Sequence, residues 1–77
     1  MFNKEKLSQV MARHGDTHKA LAEYLGMTAS NFSATWNGRQ PFQRKHILRI
    51  SVRYNLSPQD VWNIFFLHDA EQINKNS

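Results

Sequence analysis

Apolar residues recur at helical spacing in five stretches of this 77-residue chain, with polar or turn-forming residues between them. Leu7, Val10 and Met11 give a first segment, Asn3 to about Arg13, one apolar face at the i, i+3, i+4 spacing of an amphipathic helix. Gly15 ends it. Thr17 is placed to cap a second segment, about 18–25, whose inner face is Leu21, Ala22 and Leu25. Gly26 makes the next turn, and Thr28 caps a third segment running to about Asn37, with Phe32 and Trp36 four apart on one side. Asn37-Gly38 stops that helix before the loop Arg39-Gln40-Pro41-Phe42.

A fourth segment, about Arg44–Tyr54, turns Ile47, Ile50, Ser51 and Tyr54 inward while Arg44, Lys45, Arg49 and Arg53 face elsewhere. Ser57-Pro58-Gln59-Asp60 opens the fifth, with serine at the cap, proline at the first position and an acid two residues later. Val61, Ile64 and Phe65 are its core stripe. No segment alternates with the period of a strand, and no repeat or low-complexity tract is present. The pattern predicts an all-α fold of five helices over residues 1–67, followed by a polar tail, 68–77, that is expected to fray.

Within it, residues 17–38 read as two short helices joined by a tight turn. Ala22 stands four residues before Gly26, and Phe32 follows six residues later. A small residue lets two helix backbones approach, a glycine turns the chain, and a large apolar residue from the second helix fills the gap. Helix-turn-helix proteins place such a second helix in the DNA major groove.

Composition narrows the class. A chain this short supports one core. Without cysteine it has neither disulfides nor thiolate metal sites, so nine aromatic residues must supply much of the buried surface. No apolar run approaches the roughly 18 residues of a membrane span, and Met-Phe-Asn-Lys-Glu-Lys lacks the apolar core of a signal peptide. A cytoplasmic protein is expected. The net charge of +4 fits a polyanionic partner, and its distribution says more. From Arg13 to Arg53 seven bases face two acids, a net of +5, whereas from Tyr54 onward three acids face Lys75 alone, a net of −2. The positive charge centres on the two-helix motif and on the loop and fourth segment after it.

Thr17, Leu21-Ala22, Leu25-Gly26, Ser33, Asn37-Gly38 and Leu56-Ser57 give the chain its resemblance to the lambda-type phage repressor and Cro family of small helix-turn-helix DNA-binding proteins, over about residues 5–66. The resemblance implies a five-helix lambda-repressor-like domain, with its helix-turn-helix at helices 2 and 3. Such a domain binds double-stranded operator DNA, usually as a homodimer, and regulates transcription at the nucleoid of a bacterial host. Two departures stand out. Many relatives pair an Arg at the position of Met11 with a Glu at that of Trp36, and here both are apolar. Replacing both ends of a buried ion pair preserves packing where replacing one would not, which predicts a Met11–Trp36 contact. Thr35 stands where a large apolar residue is usual, and Trp36 is expected to supply that volume.

Ala29, Ser30, Asn31, Ser33 and Ala34 fall on or near the outer face of the third helix and are the candidate base-contacting residues. Ser30 and Asn31 can hydrogen-bond base edges, and the alanines offer methyls to thymine. The bland reading is a set of small, tolerated surface residues, but a surface helix normally carries more charge. Having no Arg or Lys, this helix makes no bidentate guanine contact, so part of any specificity falls to DNA shape. Candidate phosphate contacts are His18, Thr28, Asn37, Arg39, Gln40, Arg44 and Lys45, with the roles of His18, Asn37 and Arg39 implied by the resemblance. For Asn37 helix capping is the competing role, and for His18, Arg44 and Lys45 simple solvation is.

Trp62, Phe66 and Leu67 are surplus apolar surface beside the core stripe and mark a candidate dimer interface. His14 and His18 are four apart, but Gly15 interrupts the helix and no third ligand is evident, so no metal is expected. No nucleophile–base pattern points to an enzyme, and neither a cofactor nor a small-molecule substrate is implied. The competing class is a protein-binding modulator of another regulator built on the same bundle.

Overall fold

Each helix start in the computed structural model, which describes residues 1–75, carries a local reason in the sequence. Asn3 caps α1 (Lys4–Arg13) by accepting from the Lys6 N–H, and Thr17 caps α2 (His18–Leu25) through Ala20. Thr28 does the same for α3 (Ala29–Trp36) through Asn31. In each case a side-chain oxygen satisfies a backbone donor that has no partner inside the helix. Gln43 precedes α4 (Arg44–Arg53) without a side-chain cap. Ser57 and Asp60 form a reciprocal capping box at α5 (Pro58–Val61), as the Ser-Pro-Gln-Asp motif predicts.

The turn between α2 and α3 is closed by Gly26, whose φ of 71° lies in the left-handed region that a Cβ resists. Gly26 N–H donates to Glu23 and Met27 N–H to Ala22, which satisfies the last carbonyls of α2 and redirects the chain.

Beyond α5 the helix does not stop. A π-helical segment, Trp62–Phe66, leads directly into α6 (Leu67–Lys75), so the three pieces form one long C-terminal helix. Within the π segment Leu67 N–H reaches back five residues to Trp62 O. The Ile64 carbonyl also accepts from the Asn3 N–H at 2.6 Å, which ties the N-terminal arm across this helix. The tail expected to fray from His68 is therefore helical as far as Lys75, with Asp69 of its first turn paired to the Met1 ammonium. Residues 76 and 77 of that tail lie outside the described residues.

The buried core draws on the inward faces read from the pattern: Leu7, Val10 and Met11 of α1, Leu21, Ala22 and Leu25 of α2, Phe32 of α3, Ile50 of α4 and Tyr54 just after it, and Ile64 and Phe65 of the π segment. Trp36 packs against this cluster, its ring neighbours being Phe2, His18 and Phe32. Three places differ from expectation, the first being Val61, which belongs to the expected core stripe but only half-buries itself against the cluster. The second buried residue of α3 is Thr35, not Trp36; its hydroxyl is satisfied by the Asn31 carbonyl, so a small polar side chain fills the place without leaving a donor unpaired. On α4 the buried residue beside Ile50 is His46, 7% exposed and edge-on to Phe42, while Ile47 and Ser51 are only half-buried. Among the described residues there is no strand, and no helix is long and apolar enough to cross a membrane.

Candidate nucleic-acid interface

Thr28 fixes where α3 begins and Asn37-Gly38 where it ends. Gly38 N–H donates to Thr35 and Arg39 N–H to Ala34, turning the chain away immediately after two helical turns. Gly38 has φ 82° and lies against the Met1 thioether, so a Cβ there would be both strained and crowded. Between these ends α3 buries Phe32 and Thr35 and leaves Ala29, Ser30, Asn31 and Ser33 exposed, with Ala34 half-buried. The outward surface is narrow, uncharged and made of short side chains.

A cleft of about 550 Å³ lies between α2 and α3, and four of the candidate residues share its rim: His18, Ala29, Ser33 and Asn37. Its floor is apolar, with Met27, Phe32 and Trp36 among the lining residues. The His18 ring sits 4.3 Å from that of Trp36 and 5.5 Å from that of Phe32, so the start of α2 is fixed relative to the end of α3 by ring packing. Asn37 Nδ2 donates to Ser33 Oγ at 3.3 Å and also serves as the last residue of the helix end. Both its capping role and its exposure hold together. Thr28 uses its oxygen as the cap acceptor and keeps its hydroxyl proton for another partner.

Arg39, Arg44 and Lys45 are exposed along the loop after α3 and the start of α4. Gln40 behaves differently from its neighbours. Its Nε2 is turned back onto α3, donating to Asn31 O at 3.2 Å and to Thr35 Oγ1 at 3.0 Å.

Arg53 is the cation that sequence reasoning misassigned. Grouped with the outward-facing bases of α4, it instead binds Asp16 with two nitrogens, at 2.6 and 3.0 Å, and covers the Tyr24 ring at 4.7 Å. Tyr54 donates its hydroxyl to the same carboxylate at 2.6 Å, and Thr17 N–H donates from the α2 cap at 2.9 Å. Asp16 is 8% exposed and Arg53 27%. The Arg53 hydrogen bonds hold the Asp16 carboxyl well below the usual range against the opposing effect of burial. Burial first, and then the Asp16 carboxylate, push the Tyr54 phenol up. Removing this internal pair from the count subtracts one base and one acid, so the +5 of residues 13–53 is carried by side chains other than Arg53. An Asp between a glycine and the cap of a short helix is a loop signal, and nothing in its spacing pointed to a residue 37 positions away.

No group of three or more His, Cys, Asp or Glu among the described residues is placed to hold a metal, and His14 Nδ1 lies 3.0 Å from the Val10 carbonyl. On the C-terminal helix Trp62 and Phe66 are 45% and 42% exposed with ring centroids 6.0 Å apart, while Leu67 is half-buried.

Comparison with curated proteins and with solved structures gives no match. A family model for the Cro/C1-type helix-turn-helix DNA-binding domain matches residues 6–65, from within α1 to the end of the core stripe. This span contains both helices of the motif, the cationic edge after it and the Asp16–Arg53–Tyr54 network. The chain therefore belongs to the Cro/C1-type helix-turn-helix DNA-binding domain family, and is a DNA-binding transcriptional regulator.

Proposed function

We propose that the protein binds a specific double-stranded operator as a homodimer, in the manner of a phage or prophage Cro-like protein or repressor. In this reading α3 enters the major groove. Ser30 and Asn31 meet base edges, and Ala29, Ser33 and Ala34 supply close apolar or polar contact. His18, Thr28, Asn37, Arg39, Arg44 and Lys45 border that helix and hold phosphates. The observation that carries the reading is the pairing of a short, exposed, uncharged α3 face with exposed cations at its C-terminal flank. Small side chains allow the helix to seat deeply, and long cations beside it reach the backbone without blocking entry.

Trp62, Phe66 and Leu67 form the proposed dimer contact on the long C-terminal helix, and Ile73, 70% exposed, extends it along α6. An isologous pairing there presents two α3 helices about one DNA turn apart, roughly 34 Å. Selection of duplexes from a random-sequence pool tests both parts. The expected result is a symmetric pair of half-sites whose centres are about 10 base pairs apart, with two chains sedimenting per duplex. A single unpaired site bound by one chain would contradict the dimer, and no enrichment would contradict specific reading.

A further inference from the structure

The loop after α3 sends one side chain back onto the helix it has just left. Gln40 Nε2 donates to Asn31 O and to Thr35 Oγ1, and Thr35 Oγ1 donates in turn to Asn31 O at 3.1 Å. A carbonyl oxygen only accepts, so the amide nitrogen, not its oxygen, must face Asn31. Both amide hydrogens and the hydroxyl hydrogen then have an acceptor. The triangle is closed, and Thr35 at its centre is 1% exposed.

This triangle occupies the flank of α3 turned away from α2. Phe32 and Trp36 face the cleft shared with α2, whereas Thr35 and Gln40 line a second cavity of about 390 Å³ with Phe42 and Ile47. A helix of eight residues does not hold its own shape in water, so its orientation depends on what grips each side. On one side the grip is aromatic packing. On the other, where a small threonine supplies little volume, it is Gln40.

We propose that Gln40 is a positioning residue for base recognition, clipping the far flank of α3 so that Asn31 and Ser30 meet base edges at a fixed angle, and that it does so without touching DNA. The inference rests on α3 being the reading helix. It replaces the phosphate contact that the position of Gln40 in the sequence suggested.

Gln40→Met keeps the length of the side chain and its neutrality but has no donor, and Thr35→Val removes the hydroxyl that Gln40 serves. Amide hydrogen exchange on the free protein involves no DNA: Gln40→Met should speed exchange across residues 32–36 beyond the uniform change that its small drop in global unfolding midpoint produces. Binding is read on short duplexes that the wild type enriches from a random pool, and on scrambled duplexes of the same length. Gln40→Met should weaken binding to the enriched duplexes by roughly five- to tenfold, the worth of about one net hydrogen bond. Binding to scrambled duplexes and the salt dependence should not change. Thr35→Val removes the acceptor of one of the two Gln40 bonds, so adding Gln40→Met to it should cost less than Gln40→Met costs alone.

Equal loss on both kinds of duplex with a shallower salt dependence, and with the same cost whether or not Thr35→Val is present, would make Gln40 a phosphate ligand and overturn the inference. Unchanged exchange in α3 would overturn it without reference to DNA. Asn31→Ala, measured alongside, separates the two levels. If that variant keeps full base preference while Gln40→Met still loosens α3, the reading assignment fails, and the inference falls with it.

Discussion

Arg53 and Arg44 stand at opposite ends of the same helix and have opposite surroundings. Arg53 is half-buried, bound to Asp16 by two nitrogens and stacked over Tyr24. Arg44 is exposed at the first turn, next to Lys45 and close in sequence to Arg39. Their sequence contexts are alike: each lies in a run of basic and apolar residues, and each adds one charge to a positive region. The comparison teaches that charge in this protein has two employments. The paired arginine locks the loop before α2 to the end of α4, and so sets the base on which the helix-turn-helix stands. The exposed ones are the cations that the proposed function assigns to DNA phosphates.

The largest effect should come from breaking the pair on its acidic side. Asp16→Ala leaves a half-buried guanidinium and the Tyr54 hydroxyl without their shared acceptor, and releases the Thr17 N–H at the start of α2. Because solvent reaches part of Arg53, we expect about 2–3 kcal/mol of lost stability, below the figure for a fully enclosed pair. Urea unfolding followed by circular dichroism measures it. A loss under about 0.5 kcal/mol would place the network among ordinary surface ion pairs.

Arg39→Ala and Arg44→Ala sharpen the contrast from the other side. Each should leave the urea midpoint in place and weaken binding to every duplex alike, with the slope of log K against log salt falling by about 0.9 for each phosphate no longer neutralised. Arg53→Ala should do the reverse, lowering stability and leaving the salt slope as it was. Should Arg53→Ala flatten the slope, the two employments of charge would not be separate.

The pH dependence divides by the same logic. Asp16 has its carboxyl held well below its ordinary value of 3.8 by Arg53, so the folded state binds this proton less readily than the unfolded chain. Its stabilisation is fully present above that ordinary value and is lost as pH falls through and below it. His46 acts on a milder scale. Burial, and then the charges of Lys45 and Arg49, hold its imidazole below the ordinary 6.5, and its Nδ1 has no hydrogen-bond partner among the described residues. The unfolded chain takes up the proton first, so stability should decline as pH falls below about 6.5. His46→Leu should flatten the change in thermal midpoint between neutral pH and pH 5, while Asp16→Ala should leave that window alone and remove the loss at lower pH. Equal pH profiles for His46→Leu and wild type would show that another group titrates there.

Much of the helical frame was readable because its causes are local. Caps at Thr17, Thr28 and Ser57, the turn at Gly26 and the spacing of Leu7, Leu21, Phe32 and Ile50 each act within one or two helical turns. What periodicity could not show was long-range pairing. Asp16 meets Arg53 across 37 positions, and Asn3 meets Ile64 across the whole bundle. Thr35 and His46 broke the rule that the buried face is apolar, one through a neighbour's amide and one through contact with Phe42. The helix over Leu67–Lys75 was not legible for a related reason: the polarity of the tail hides that the helix entering it is already nucleated and that Asp69 is paired with the chain's first residue. In the candidate interface the exposed face of α3 was legible from its residue types, whereas the inward turn of Gln40 depended on where its loop crosses the helix.

Central to this reading is that α3 reads bases while the cations beside it hold the backbone. The most direct test is equilibrium binding of Asn31→Ala and Arg44→Ala to an enriched duplex and to each of its single-base-pair variants, across a series of salt concentrations. Asn31→Ala should lose discrimination at one or two base pairs, by roughly 1–3 kcal/mol, and keep its salt slope. Arg44→Ala should keep every discrimination and lose about one counterion from the slope. The opposite result, with base preference altered by Arg44→Ala and untouched by Asn31→Ala, would contradict the assignment and move sequence reading to the edge of α4.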